Sequence, residues 1–209
     1  MNTAETVTKS GVKGRTYTIA ATAVMAAVLC IIAPFSVPIG PVPISLATLV
    51  VYLAAYVLGW KMGTVSVLIY LLIGMTGLPV FSGFSGGFTK LAGPTGGYLI
   101  GYVPLALISG LFILLSDKLR RVSAAALKET EAPGSNKAFD FFAHRLIELA
   151  GMLLGTLVLY VLGTAWFCIL MDSTVSHALT LCVIPFIPGD LIKILIALVI
   201  GPELRRRIK

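Results

Sequence analysis

The sequence predicts an all-α integral membrane protein with six transmembrane helices, and three observations carry that prediction. Of its 209 residues, 57% are hydrophobic and only 12% are charged. Runs such as Leu46 to Leu58 and Met152 to Leu162 contain no charge at all. Nearly all the charges lie between apolar runs instead of within them. A helix satisfies its backbone polar groups within its own segment, so apolar helices suit lipid. Each crossing needs ~20 apolar residues, within a range of ~17–25, and fewer where the segment is bent or re-entrant. Six runs qualify, at about 16–36, 45–59, 62–79, 97–116, 146–171 and 181–202, in one membrane domain covering 1–209. A polar stretch, 117–145, is expected to loop between the fourth and fifth.

The first span follows Lys9, Lys13 and Arg15, as the apolar core of a signal peptide would. Its length, the lack of a small-residue cleavage site before a polar start, and the spans that follow argue for a retained helix. Within it, Ala23 and Ala27 form a small-xxx-small pair, with Ala20 on an adjoining face. Such pairs let helices approach closely in lipid, and the residues alone favour packing inside the protein. Pro34 to Ser45, with prolines at 34, 38, 41 and 43, reads as a rigid, uncharged loop.

Spans two and three are short and separated only by Trp60-Lys61, which predicts a tight helical hairpin. Leu78 to Tyr98 then interleaves glycines and prolines with Phe81, Phe84 and Phe88. It cannot form a regular membrane helix; it is either an ordinary surface turn, for which Gly and Pro are common residues, or non-helical backbone at membrane depth, which survives only where protein buries it or it lines a cavity. Span five begins with His144, Arg145 and Glu148, read as interfacial anchors in which Glu148 pairs with a basic neighbour. Gly151 and Gly155, farther along it, are read as internal packing positions. In span six, Pro188-Gly189 reads as a helix start immediately before Asp190 and Lys193. Cys30, Cys168 and Cys182 fall in or beside apolar runs and are read as small buried hydrophobes.

Fourteen of the sixteen Lys and Arg residues lie on one side once the N-terminus is placed in the cytoplasm: Lys9, Lys13, Arg15, Lys61, six between Lys118 and Arg145, and four from Arg205 to Lys209. Only Lys90 then lies outside, and Lys193 lies within the membrane. This is the positive-inside pattern, with both termini cytoplasmic. The net charge of +7 therefore reports topology and contact with an anionic leaflet, and nucleic acid is not implied.

Asp190 and Lys193 are three apart, on one face of a helix. A charge at membrane depth costs ~2.5–3.5 kcal/mol on insertion scales, so such residues mark substrate or ion sites, although they also pair structurally. In the predicted orientation they sit in the outer half of span six. The glycine-rich segment lies on the same side, where glycines let a ligand approach the backbone. The Phe and Tyr rings there suit the wall of an apolar pocket. The segment lacks the Gly-Lys-Ser/Thr ending of a phosphate loop, and no other Walker pattern, His-Glu-x-x-His, Gly-x-Ser-x-Gly or metal-ligand cluster occurs. Uphill transport with ATP would need another polypeptide to hydrolyse it.

The block Gly86-Gly87 and Leu91-Ala-Gly-Pro-Thr-Gly-Gly-Tyr98, with Gly40-Pro-Val-Pro-Ile-Ser45 before it and Pro188-Gly-Asp190-x-x-Lys193 after it, resembles the BioY family. That family comprises the biotin-binding S components of energy-coupling-factor transporters, and the resemblance spans essentially the whole chain. One departure is Ala47, where many members carry Gln. The resemblance implies a six-helix S-component fold with irregular outer loops, the loop Pro34 to Ser45 occluding the site. It implies high-affinity biotin capture at the outer face of a prokaryotic cell membrane. Its implied partners are a transmembrane coupling protein and two ABC ATPases, which use the ATP, and this chain holds no cofactor.

On this resemblance Asp190 accepts from the ureido N–H groups of biotin. Lys193 holds its carboxylate, with Lys90 second in line. Tyr98 and Phe81, Phe84 or Phe88 cover the bicycle, and Gly86, Gly87, Gly93, Thr95 and Gly96 shape the segment beside it. Ala23 and Ala27 become the docking face for the coupling protein. Two rival classes stay open. One is an S component for another vitamin, or a stand-alone secondary carrier, although a carrier with inverted repeats should show paired broken segments. The other is a membrane enzyme, for which no catalytic constellation converges.

Overall fold

The computed structural model describes residues 3–38, 42–129 and 137–208. In chain order these form helix α1 (Thr3–Ile32), the short strands β1 (Ser36–Val37) and β2 (Ile44–Ser45), and helices α2 (Ala47–Met75), α3 (Phe88–Ala92), α4 (Gly96–Glu129), α5 (Lys137–Met171), α6 (Val175–Cys182) and α7 (Ile187–Ile208). Segments Arg15–Ile32, Ala47–Met75, Gly96–Ser123 and Phe142–Met171 are each long and apolar enough to cross a membrane. Helices α6 and α7 pass the same test only together, bent by 52° at the break between them.

The outer surface is oily: Ile169, Val199 and Ile31 expose 84%, 75% and 65% of their area. Hydroxyls and charges such as Ser66, Ser109, Thr156, Glu148, Asp190 and Lys193 are buried. Helices that are apolar outward and carry their polar groups inward belong in lipid.

Helix α1 stops at Ile32 because Pro34 cannot continue it; Ala33 and Phe35 close the end by donating to the carbonyls of Leu29 and Ile32. The prolines beyond do not make a featureless loop. β1 and β2 pair antiparallel, Ser36 opposite Ser45 and Val37 opposite Ile44. Gly40, part of the motif that carries the resemblance, lies outside the described residues.

The expected hairpin of spans two and three lies inside α2. At Gly59 the backbone leaves the helical region, with φ 76° and ψ −179°, a conformation essentially reserved for glycine. A Cβ placed on Gly63 would lie 3.1 Å from the Ala54 carbonyl oxygen and 3.3 Å from the Ala55 Cα. Residues nine apart in a straight helix are separated by ~13.5 Å, so the two halves of α2 fold back on each other.

Three expectations need correction. The stretch 117–145 is mostly helix, since α4 runs to Glu129 and α5 begins at Lys137. Ala124-Ala125-Ala126-Leu127-Lys128-Glu129 are strong helix formers, so α4 does not end where the apolar run ends. The sixth span, expected as one run over 181–202, is two helices meeting at Val183 to Phe186. Span three ends as helix at Met75, short of 79: Thr76 donates to the carbonyl of Ile73, and Gly77 turns the chain with φ 100°.

Helix α2 is the centre of the bundle, with Tyr52, Tyr56 and Tyr70 almost wholly buried and packed with α1, α4 and α7. Helices α4 and α5 meet closely through glycines. A Cβ on Gly151 would fall 2.2 Å from Phe112, and one on Gly155 would fall 3.0 Å from Leu105, so this pair does pack internally.

The reversal at Gly59 yields a stability prediction. A Cβ there meets nothing within 4 Å, so Gly59→Ala strains only the backbone, at ~1–3 kcal/mol. Thermal unfolding in detergent should show a Tm lower by ~2–10 °C. An unchanged Tm would mean that the chain does not reverse at this residue.

Candidate functional site

The bend between α6 and α7 brings the first turn of α7 into the bundle. The amide of Asp190 donates to the carbonyl of Phe186 at 2.8 Å, so this N-terminal turn is partly self-satisfied. Asp190 and Lys193 are 5% and 6% exposed and form an ion pair at 2.8 Å.

Each charge has further partners. Asp190 Oδ1 also accepts from Thr48 Oγ1 at 3.3 Å, and Oδ2 accepts from the Tyr160 hydroxyl at 2.6 Å. Lys193 Nζ donates to the Ser45 carbonyl at 2.6 Å. Ser45 in turn donates its hydroxyl to the Ala33 carbonyl at 2.8 Å and accepts the Ala47 amide at 3.1 Å. The pair therefore ties α7 to the end of α1, the β hairpin, α2 and α5. Buried charges persist in low dielectric only with such saturation, because desolvation costs several kcal/mol per ion.

Beside the pair lies a cavity of about 40 Å³. Tyr98, Tyr102, Tyr160 and Phe186 wall it, and Val42 and Pro43 of the hairpin close one side. The volume is near one water's share of liquid, ~30 Å³. A ligand larger than a water molecule fits only if a wall moves.

Of the residues expected at the site, the structure brings together Asp190, Lys193 and Tyr98. The Tyr98 hydroxyl donates to the Cys182 carbonyl at 3.1 Å, which fixes its ring across the α6–α7 break. The others lie elsewhere. Phe81 is fully buried and packs edge-on against Tyr70 at 5.5 Å; a Cβ on Gly74 would collide with it at 2.0 Å. Phe84 is 61% exposed and packs edge-on against Phe35 at 5.4 Å. Phe88 is 65% exposed and Lys90 half-buried on α3.

The glycines meet other protein backbone, not the cavity. A Cβ on Gly86 would fall 2.1 Å from the Leu78 carbonyl oxygen, and one on Gly96 would fall 1.7 Å from that of Leu91. The Gly87 amide donates to Gly74 at 2.8 Å, and the Gly93 carbonyl accepts from Trp166 Nε1 at 3.0 Å. Thr95 is buried, with its hydroxyl unpartnered among the described residues, yet it does not line the cavity. The segment is irregular because it folds tightly on itself.

Thr48, Tyr102, Tyr160 and Ser45 were not expected here. For Thr48 and Tyr160 the signal is a spacing of four or eight inside otherwise oily segments: Thr48, Tyr52 and Tyr56 on α2, and Glu148, Thr156 and Tyr160 on α5. The two stripes face each other. Thr48 and Tyr160 meet at Asp190. Thr156 donates to the Met152 carbonyl, so Tyr52 donates to Thr156 at 2.6 Å. Tyr56 donates to Glu148 at 2.9 Å. Ala47, at the family's Gln position, is buried and apolar, and its neighbour Thr48 supplies the polar group.

Ala23 and Ala27 lie exposed on one face of α1 with Ala20, Val24 and Ile31, whereas Thr22, Met25, Ala26 and Leu29 turn inward. The pair does not pack inside the bundle.

Known proteins resemble this chain in sequence and in fold. The BioY family model matches residues 3–209. The biotin transporter BioY of Thermotoga maritima is 34% identical over 183 residues, 88% of this chain and 92% of that protein. The probable biotin transporter BioY of Pyrococcus horikoshii is 35% identical over 173 residues, 83% and 86% of the two chains. A crystal structure at 2.1 Å of the S-component for biotin from an ECF-type ABC transporter superposes with a TM-score of 0.74 at 30% identity, covering 93% of each chain.

The ion pair makes a prediction about folding alone. Asp190→Ala leaves the Lys193 ammonium buried and uncompensated, which should cost ~3–5 kcal/mol. The double variant Asp190→Leu with Lys193→Met removes both charges and should recover most of that loss. Thermal unfolding of the three proteins in detergent is the measurement. Equal stability for single and double variants would mean that the pair is not desolvated.

Proposed function

This chain belongs to the BioY family, and from that premise we propose that it captures biotin at the outer face of a prokaryotic cell membrane for uptake as the S component of an energy-coupling-factor transporter. It is a transporter component and not an enzyme. ATP hydrolysis falls to two ABC ATPases joined to it through a transmembrane coupling protein. In lipid the two halves of α2 count as separate segments and the bent α6–α7 pair as one, giving six crossings. Both termini face the cytoplasm in this reading, which the distribution of Lys and Arg supports.

The observation that carries the reading is the contact between Asp190 and Lys193 at 2.8 Å beside an aromatic cavity. A ureido ring presents N–H donors and a C=O acceptor about 2.2 Å apart, from ordinary amide bond lengths. A carboxylate and an ammonium in contact match that adjacent donor and acceptor. This revises the role that resemblance gives Lys193. Ureido ring and carboxylate lie at opposite ends of biotin, and two side chains in contact cannot hold both ends. Asp190 therefore accepts from a ureido N–H, Lys193 donates to the ureido oxygen, and the carboxylate points outward, with Lys90 as its partner. Biotin enters when the β1–β2 hairpin swings aside and Lys193 exchanges the Ser45 carbonyl for the ligand.

Calorimetry on the purified chain in detergent, without ATP, should give one tight site for biotin. Tighter binding of riboflavin or thiamine would leave only the S-component class standing. Lys193→Ala should weaken biotin and its methyl ester equally, by ~10–150-fold for one hydrogen bond to a charged group. Lys90→Ala should weaken biotin alone. Selective loss of the free acid in Lys193→Ala would restore the carboxylate assignment.

The exposed Ala23 and Ala27 face supports docking of the coupling protein through close helix approach. Ala23→Trp or Ala27→Trp should leave biotin binding and Tm within experimental error, and abolish ATP-dependent uptake and co-purification with the ATPase module. Loss of binding together with stability would return the pair to internal packing.

A further inference from the structure

A cavity of about 640 Å³ lies at the opposite end of the bundle from Asp190. Along α7 the two ends are separated by the fifteen residues from Asp190 to Arg205, ~22 Å of helix. Its floor holds Tyr56, Ser116 and Glu148, and its walls include arginines 120, 121, 145, 205 and 206.

The acids of this cavity are already committed. Glu148 accepts from Arg145 at 2.8 Å, from Tyr56 at 2.9 Å and from Ser116 at 3.2 Å. Asp117 pairs with Arg205 at 2.6 Å and, more distantly, with Arg120 at 3.9 Å. Glu203 is taken by Arg207 at 2.9 Å. Arg121 and Arg206 also line the cavity, and among the described residues they form no ion pair. His144 lines it too, with a buried Nδ1 that has no hydrogen-bond partner there. Uncompensated guanidiniums and an unused imidazole nitrogen suit a phosphate oxyanion.

Val199 also lines the cavity and is 75% exposed on the lipid-facing flank of α7. The basic chamber is thus continuous with the surface that acyl chains cover. We propose that this chamber binds the phosphate headgroup of an anionic phospholipid of the inner leaflet, chain against α7 at Val199 and phosphate toward Arg121, Arg206 and His144. Basic pockets between helices on the cytoplasmic side take such headgroups. The assignment to the inner leaflet rests on the orientation proposed above; binding itself is read in detergent, where orientation plays no part.

The test is thermal unfolding and native mass spectrometry of the full chain in neutral detergent, with biotin affinity measured on the same preparations. Dioleoylphosphatidylglycerol at about a hundredfold excess over its Kd should raise Tm by ~5 °C or more and be retained at one molecule per chain. Dioleoylphosphatidylcholine and inorganic phosphate at matched ionic strength should do neither. The double variant Arg121→Gln with Arg206→Gln, two exposed positions, should lose at least half of the shift with its own Tm and biotin affinity unchanged. Equal effects of the two lipids, reproduction by phosphate alone, or an undiminished shift in the variant would overturn the proposal. A wild-type chain that binds phosphatidylglycerol but not biotin would refute the biotin reading and leave this one standing.

Discussion

A carboxylate and an ammonium in contact at 2.8 Å, inside a protein whose outer surface is oil, set the terms for everything around them. In lipid neither charge has water to fall back on, and an uncompensated one costs several kcal/mol. The bundle answers by converging on them. The bend between α6 and α7 brings the pair in, α5 contributes Tyr160, and α2 contributes Thr48. The Ser45 carbonyl closes the coordination of Lys193. Because the Ser45 hydroxyl also bonds Ala33 and Ala47, the hairpin that walls the cavity is anchored at the same residue whose carbonyl a ligand would displace from Lys193.

The pair stands at one end of a polar seam between α2 and α5. Tyr52 with Thr156 and Tyr56 with Glu148 continue it to the arginine-rich chamber at the other end. Hydroxyls suit this seam because they satisfy one another without carrying charge into the bundle. Charge is confined to the two ends, where a ligand or a headgroup can meet it, and the region between is neutral.

Much of this was legible in the sequence, and the reasons differ by element. Hydropathy locates the spans because lipid demands long apolar runs, and Asp190 and Lys193 stand out as charges within one. Trp60-Lys61 marks the reversal, although the residue that makes it is Gly59. The site's uncharged members were hidden. Tyr160 sits in an uncharged run and reads as one more hydrophobe until its spacing with Thr156 and Glu148 is set against Thr48, Tyr52 and Tyr56. The glycine-rich segment misled in the other direction. Its glycines are required by contacts with the Leu78 and Leu91 carbonyls, and a requirement for close backbone packing looks in sequence like a requirement for close ligand approach. The end of α4 escaped because helix propensity outlasts hydrophobicity at Ala124 to Glu129.

The claim that most needs direct observation is which end of biotin the ion pair reads. An experimental structure of the biotin-loaded chain decides it. The expected result is a ureido N–H on the Asp190 carboxylate and the ureido oxygen on Lys193 Nζ, each at ~2.7–3.2 Å. In the same structure Lys193 should have released the Ser45 carbonyl, and the valerate carboxylate should point toward the outer loops. Finding that carboxylate on Lys193, with the Lys193–Ser45 contact intact, would contradict it.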